Sequence, residues 1–208
     1  MMHSNRTHRL AAAIAIAIPL VAIACLFALL SWSHGSSIRF ETGKVGGAAG
    51  DLLLHVAVSL ALALPMPHPG YAVLALAAGV GVDFDHLGAL AGAPILRRGS
   101  HSIVFFAIAA AIVALLAIRF RRQSLLSPIL AAAVVVASLL GHIAADALLG
   151  EGRFPLWSPV SYRLVTLSRL EGGLLLVGAF AVVLTALLIT TYRRRLAQRP
   201  AREETSSH

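Results

Sequence analysis

Residues 125–149 read Leu-Leu-Ser-Pro-Ile-Leu-Ala-Ala-Ala-Val-Val-Val-Ala-Ser-Leu-Leu-Gly-His-Ile-Ala-Ala-Asp-Ala-Leu-Leu. Apolar side chains fill nearly all of this run, Pro128 sits where a helix can begin, and two ionisable residues, His142 and Asp146, lie near its far end. At ~1.5 Å per residue the run is long enough to cross ~30 Å of hydrocarbon as one helix. A spacing of four puts the His142 and Asp146 side chains on one helix face, where they can close on one ion. Ionisable groups inside a span cost about 2.5–3.5 kcal/mol each on insertion scales, so they are ordinarily paired or functional.

Further apolar segments lie on both sides: Leu10 to Leu30, Leu52 to Leu64, Tyr71 to Val82, Ile103 to Ile118 and Leu174 to Tyr192. The second and third of the six are short and are parted by Pro65-Met66-Pro67-His68-Pro69-Gly70, through which no helix can continue. They are either short spans or a re-entrant hairpin, and both alternatives return the chain to the side it left. With 58% hydrophobic and 12% charged residues, the chain has too little polar surface for a soluble globule. These features predict an all-α, polytopic membrane helical bundle of about six apolar segments. Residues 1–31 form an N-terminal transmembrane helix, 32–50 an extracytoplasmic loop, 51–192 the main domain and 193–208 a basic cytoplasmic tail. Arg6 and Arg9 ahead of the first run also suit a signal peptide, but the run continues past Cys25 and no Ala-x-Ala site follows.

The charge of +8 reads as loop charge beside anionic lipid, and no nucleic acid is expected as a partner. Of the seventeen Lys and Arg, an N-in, C-in orientation puts ten inside, including Arg119, Arg121, Arg122 and Arg193 to Arg195, and seven outside. On that topology His55, Asp83, Asp85, His86, His101, His142, Asp146 and Glu171 all reach the outer leaflet. A lone cysteine leaves His and carboxylate as the available metal ligands. Each element has an ordinary reading too. Asp83-Phe84-Asp85-His86 alone fits an exposed helix end, and His142 with Asp146 alone fits a hydrogen-bonded pair between helices. Their shared depth favours a metal centre. Arg97 and Arg98 run against the positive-inside trend; they either pair with Asp83 or Asp85, or clamp a phosphate, with Arg98 the better placed beside His101. Glu171 is a candidate partner behind a ligand His, a ligand, or a helix N-terminal carboxylate. The loop from Glu151 to Arg163, with Trp157 and Tyr162, is an interfacial anchor or a lid.

In the order of these motifs the chain resembles the YdjM-like family of LexA-regulated inner-membrane metal-dependent hydrolases. The likeness runs through His55, Gly81-Val82-Asp83-Phe84-Asp85-His86, Arg98-Gly99-Ser100-His101-Ser102, His142 with Asp146, the loop Gly150 to Pro159, and Glu171, over about residues 51–190. The family's Leu-Pro before the first Asp is Gly81-Val82 here, and its Thr before the His is Ser100. In ligand order the chain is also remotely similar to zinc-dependent phospholipases C and single-strand nucleases, a likeness that implies a phosphoester substrate.

These readings predict a hydrolase of the bacterial inner membrane, with a site on the extracytoplasmic side that holds one or two divalent ions, most readily zinc. The ligands would come from His55, Asp83, Asp85, His86, His101, His142 and Asp146. Asp85 or Glu171 would act as general base, and Arg98 would stabilise developing negative charge. Membrane lipid is the expected partner, and a lipid-linked phosphoester the favoured substrate. The alternative is a non-enzymatic metal-binding membrane protein, a transporter or a sensor.

Overall fold

In a computed structural model the described residues are 2–32, 45–86, 99–120, 126–149 and 153–198. They form six α-helices: α1 (Met2–Trp32), α2 (Val45–Ala63), α3 (Gly70–Gly79), α4 (Ile103–Arg119), α5 (Pro128–Leu149) and α6 (Arg169–Gln198). Two short 3-10 turns, Gly81–His86 and Gly99–His101, follow α3 and precede α4. The fold class is therefore all-α. Among the described residues strand is confined to an antiparallel pair, β1 (Arg153–Phe154) with β2 (Val165–Thr166), in the connection between α5 and α6.

Helix α5 is the axis, packing against α2, α3, α4 and α6. It starts at Pro128, whose fixed φ suits a first helical position and whose missing N–H costs nothing there. Residues around its whole circumference are buried, including Leu130, Val134, Val135, Leu139 and Ile143. Such all-round burial is how an entirely apolar helix is accommodated. Helix α1 buries Ala13, Ile16, Ala17, Leu20 and Ala24 along one stripe against the α3 and α4 side.

The outer faces are apolar as well. Ile14 and Ile18 on α1, Leu53 on α2, Leu115 on α4, and Leu174, Val177, Leu184 and Leu188 on α6 are all exposed. A monomer in water seldom carries so extensive a greasy surface. Helices α5 and α6 are each long and apolar enough to cross a membrane. Helix α6 runs past Tyr192 to Gln198 and carries Arg193, Arg194 and Arg195 as exposed residues of its last turns. The expected start of the tail at residue 193 is thus helical, because Arg, Leu, Ala and Gln all favour helix.

Two neighbouring glycines on α6 have opposite surroundings. A Cβ on Gly172 would stand 2.9 Å from Ala147 Cβ and 3.1 Å from the Ala144 carbonyl oxygen of α5, whereas one on Gly173 would meet nothing within 4 Å. The first glycine lets the backbones touch; the second does not. Gly172→Ala is expected to destabilise the bundle by about 1–3 kcal/mol, since neither obstacle can rotate away. Gly173→Ala should stabilise it by up to about 1 kcal/mol through helix propensity. Thermal unfolding of both variants in one detergent checks the pair, and shifts of the same sign would rule the packing account out.

Candidate metal centre

Four elements meet beside the C-terminal half of α5. His142 and Asp146 lie one turn apart on α5 and are both buried. His55 comes from α2, which can approach closely because Gly141 offers it no side chain. A Cβ there would fall 2.8 Å from Val58 Cγ1 and 2.9 Å from Leu62 Cδ1. The His55 and His142 rings consequently stack, with centroids 3.9 Å apart and planes 19° from parallel.

Asp83 is placed by the end of α3. Gly79 and Gly81 are poor helix formers, and beyond them the chain tightens into its 3-10 turn, with the Asp83 N–H donating to the Val80 carbonyl at 3.1 Å. His101 closes the other turn, one residue before Ser102 caps α4 by accepting the Phe105 N–H at 3.1 Å. Phe154 of β1, fully buried, lies nearly parallel to the His101 ring at 6.1 Å. The hairpin is anchored there by the Ile103 N–H donating to the Leu156 carbonyl at 2.9 Å.

The donor atoms form one cage. His55 Nε2 is 3.1 Å from Asp146 Oδ1 and 3.8 Å from Asp83 Oδ2. His142 Nε2 is 3.4 Å from Asp83 Oδ1 and 3.8 Å from Asp146 Oδ2. His101 Nε2 is 3.7 Å from Asp83 Oδ1, 3.8 Å from Asp146 Oδ2 and 2.9 Å from His142 Nε2. Ligands arranged tetrahedrally at ~2.0–2.2 Å around zinc stand about 3.3–3.5 Å from one another. The observed separations bracket that value, so donors at these distances could reach one ion.

Chemistry fits the dimensions. His142 Nδ1 lies 2.6 Å from the Gly79 carbonyl oxygen, which can only accept. The Nδ1 position therefore carries a proton, and a cation that displaced any proton on Nε2 would meet that nitrogen's lone pair in the cage. A backbone carbonyl behind a ligand imidazole is the usual partner of a metal-bound histidine. Two carboxylates among apolar helices leave negative charge that burial makes costly. A divalent cation would balance it. The described residues could thus hold a metal ion in two overlapping sets, His55 with His142 and Asp146, and Asp83 with His101 and His142.

Of the expected ligands, His55, Asp83, His101, His142 and Asp146 are brought together. Asp85 and His86 share the 3-10 turn with Asp83, but their side chains lie outside the described residues, as do Arg97 and Arg98. Glu171 stands apart. It is exposed at the start of α6, where its Oε2 accepts the Ser168 N–H at 2.7 Å and the Ser168 hydroxyl at 2.8 Å, while Ser168 Oγ receives the Glu171 N–H at 3.3 Å. This is a reciprocal capping box, so among the three expected roles the helix N-terminal one is occupied. Trp157 is 54% exposed, and the aromatic residue that reaches the site is Phe154. Gly79 and Phe154 were not candidates in the sequence. The one available signal was Phe154's place next to Pro155-Leu156 in the motif-like loop.

No family model, curated protein or solved structure matches the chain.

A divalent cation at ~1,000 times its Kd, with zinc as the probe, is expected to raise the unfolding free energy by about 4 kcal/mol, the linkage value for a ligand bound only by the folded state. Asp146→Asn should lose most of that increment. Thermal unfolding in detergent, with zinc and after chelation, measures both, and an unfolding temperature indifferent to metal would exclude the cage as a tight site.

Proposed function

We propose that the protein is a membrane-embedded, metal-dependent hydrolase of the bacterial inner membrane, oriented N-in and C-in, acting on a lipid-linked phosphoester at the extracytoplasmic face. One observation carries the reading: three imidazoles and two carboxylates from four separate elements share a space that suits one ion, most readily zinc, inside an otherwise apolar bundle. The resemblance of the motif order to the YdjM-like family is what suggests the hydrolase class. The exposed apolar belt and the two long helices support the membrane.

A divalent ion held there supplies, when bound, Lewis acidity and an acidified water. His55, His142 and Asp146 form the rigid side of the holder, since all three stand on helices. Asp83 and His101 stand on 3-10 turns and complete it. The Asp83 side chain, 13% exposed against 0–2% for the other four, marks the side from which a substrate enters. Asp85, in the same turn as Asp83, is the carboxylate assigned to take a proton; Glu171 is engaged by Ser168. Arg98, next to the His101 turn in the chain, is assigned to the negative charge that grows on the phosphoryl oxygens.

The lipid preference comes from the surroundings. A cleft of about 370 Å³ is lined by Ile103, Phe106, Leu140, Ile143, Leu174 and Glu171. Ile103 follows His101 by two residues and Ile143 follows His142 directly, so two lining residues of the cleft lie close in the chain to two of the donors. An acyl chain suits such a lining, and a soluble polymer does not.

Burial of four of the five donors also suits a non-enzymatic metal protein, a transporter or a sensor. Metal analysis of detergent-purified protein, with turnover of generic phosphodiester and phosphomonoester substrates, separates the two. The expected result is one zinc per chain and hydrolysis that His101→Ala and Asp146→Ala abolish. Arg98→Ala should keep the zinc while losing about 10²–10³-fold in turnover, as removal of one transition-state donor does. Stoichiometric zinc with no turnover of any ester, lipid extracts included, would favour the non-enzymatic reading.

A further inference from the structure

Between Gly172 and Tyr192 helix α6 carries no charged side chain. At ~1.5 Å per residue that stretch spans ~30 Å, the thickness of a bilayer's hydrocarbon. Arg193 to Arg195 stand just beyond one end of it, and Arg169 and Glu171 just before the other. When α6 crosses a bilayer, the hairpin that leads into Arg169 is therefore level with the headgroups.

The hairpin sorts its side chains by face, as paired strands do. Phe154 is opposite Val165, and Phe154 is buried beside the His101 ring. Arg153 is opposite Thr166 on the other face, and both are exposed. Arg163 and Arg169, before and after β2, are exposed as well. Beside these arginines the chain exposes Trp157, Val160 (83%) and Leu170 (74%). From residue 153 to residue 171 the one carboxylate is Glu171, which Ser168 engages. The three positive charges are thus left without a balancing acid in this connection. Guanidinium takes a phosphate through paired N–H donors, and Trp with aliphatic neighbours settles at the acyl boundary. A zwitterionic headgroup brings its own cation with its phosphate, whereas an anionic one brings the net charge that unbalanced arginines attract. We infer that this end of the bundle is a docking surface for anionic phospholipid, with Arg153, Arg163 and Arg169 taking the phosphates and Trp157, Val160 and Leu170 seated at the acyl boundary. Lipid held on one face of the hairpin bears on His101 through the other, by way of Phe154 and the Leu156 carbonyl that anchors Ile103.

This docking rests on the membrane part of the proposed function and needs no metal. The chain has two tryptophans, Trp32 and Trp157, so Trp32→Phe leaves Trp157 as the sole indole reporter. Full-length Trp32→Phe protein is reconstituted into phosphatidylcholine vesicles that contain a minority of brominated phosphatidylglycerol or, in the other arm, the same fraction of brominated phosphatidylcholine. Quenching of Trp157 reads the local share of each lipid. Phosphatidylglycerol should be enriched there about fivefold or more, fivefold being roughly the effect of one arginine beside an anionic surface. Arg153→Gln, Arg163→Gln and Arg169→Gln together should equalise the two arms. Glutamine at Arg193, Arg194 and Arg195, which removes the same charge from the other end of α6, should leave the enrichment intact. Equal quenching in the two arms, enrichment that survives the hairpin substitutions, or an equal loss from the distant ones would overturn the docking. So would quenching by neither lipid, which would mean that protein, a second copy included, covers Trp157. Inorganic phosphate at matched ionic strength should not abolish the enrichment; if it does, the arginines serve a soluble anion instead. Flotation separates the two failures: a chain that does not float with the vesicles ends the membrane reading and this docking with it, whereas floating without headgroup preference ends the docking alone.

Discussion

Burying two carboxylates beside three imidazoles among Ala, Val, Leu and Ile is the constraint around which this bundle is organised. Neither carboxylate can be left charged and alone in such surroundings without a cost of several kcal/mol. The structure answers by placing every imidazole within 4 Å of a carboxylate oxygen. That answer demands close helix approach, which accounts for small residues where α2, α3 and α5 meet. Gly141 admits Val58 and Leu62, and Gly79, whose added Cβ would collide with Ser59 Oγ, brings its carbonyl to His142. Packing and site chemistry are here one problem.

The donors divide by the stiffness of what carries them. His55, His142 and Asp146 stand on helices, with ring orientation controlled by stacking and by the Gly79 carbonyl. Asp83 and His101 end or begin helices on 3-10 turns, joined to each other through Ser100 and backed by Phe154. Three groups on rigid elements fix the position of an ion, and two on turns can follow a change in its coordination. This division is what the proposed chemistry at a bound ion would use.

How much of this was legible in the sequence varies with the range of the interaction. The i, i+4 spacing of His142 and Asp146 is local, and it held. The convergence of His55, Asp83 and His101 followed from counting helix reversals and from asking which leaflet each residue reaches, and all three lie in the cage. The supporting groups were illegible for a physical reason. A backbone carbonyl such as that of Gly79 has no residue signature, and its role arises only once α3 lies across α5. Ser100 looked like a minor variation beside His101, because its work depends on Val82 eighteen residues earlier. Glu171 misled in the other direction: a carboxylate three residues after Ser168 also spells a capping box, and that local bond won over any longer reach.

The number of stations weighs on the choice between catalysis and conduction. A path for ions or protons through a bundle needs titratable groups at successive depths. Among the described residues both sets able to hold a metal include His142, so they are alternative descriptions of one station. Below it, one turn away on α2 and α5, come Ser59 and Ser138, then Leu62 and Val134, all buried. Hydroxyls can relay a proton over one step, but the leucine and valine beyond them offer nothing to receive it. Among the described residues this is one charged station, with one partly exposed carboxylate, Asp83. Under the proposed reading, a polar head would lie near an ion at this station while the attached chain stays among apolar side chains.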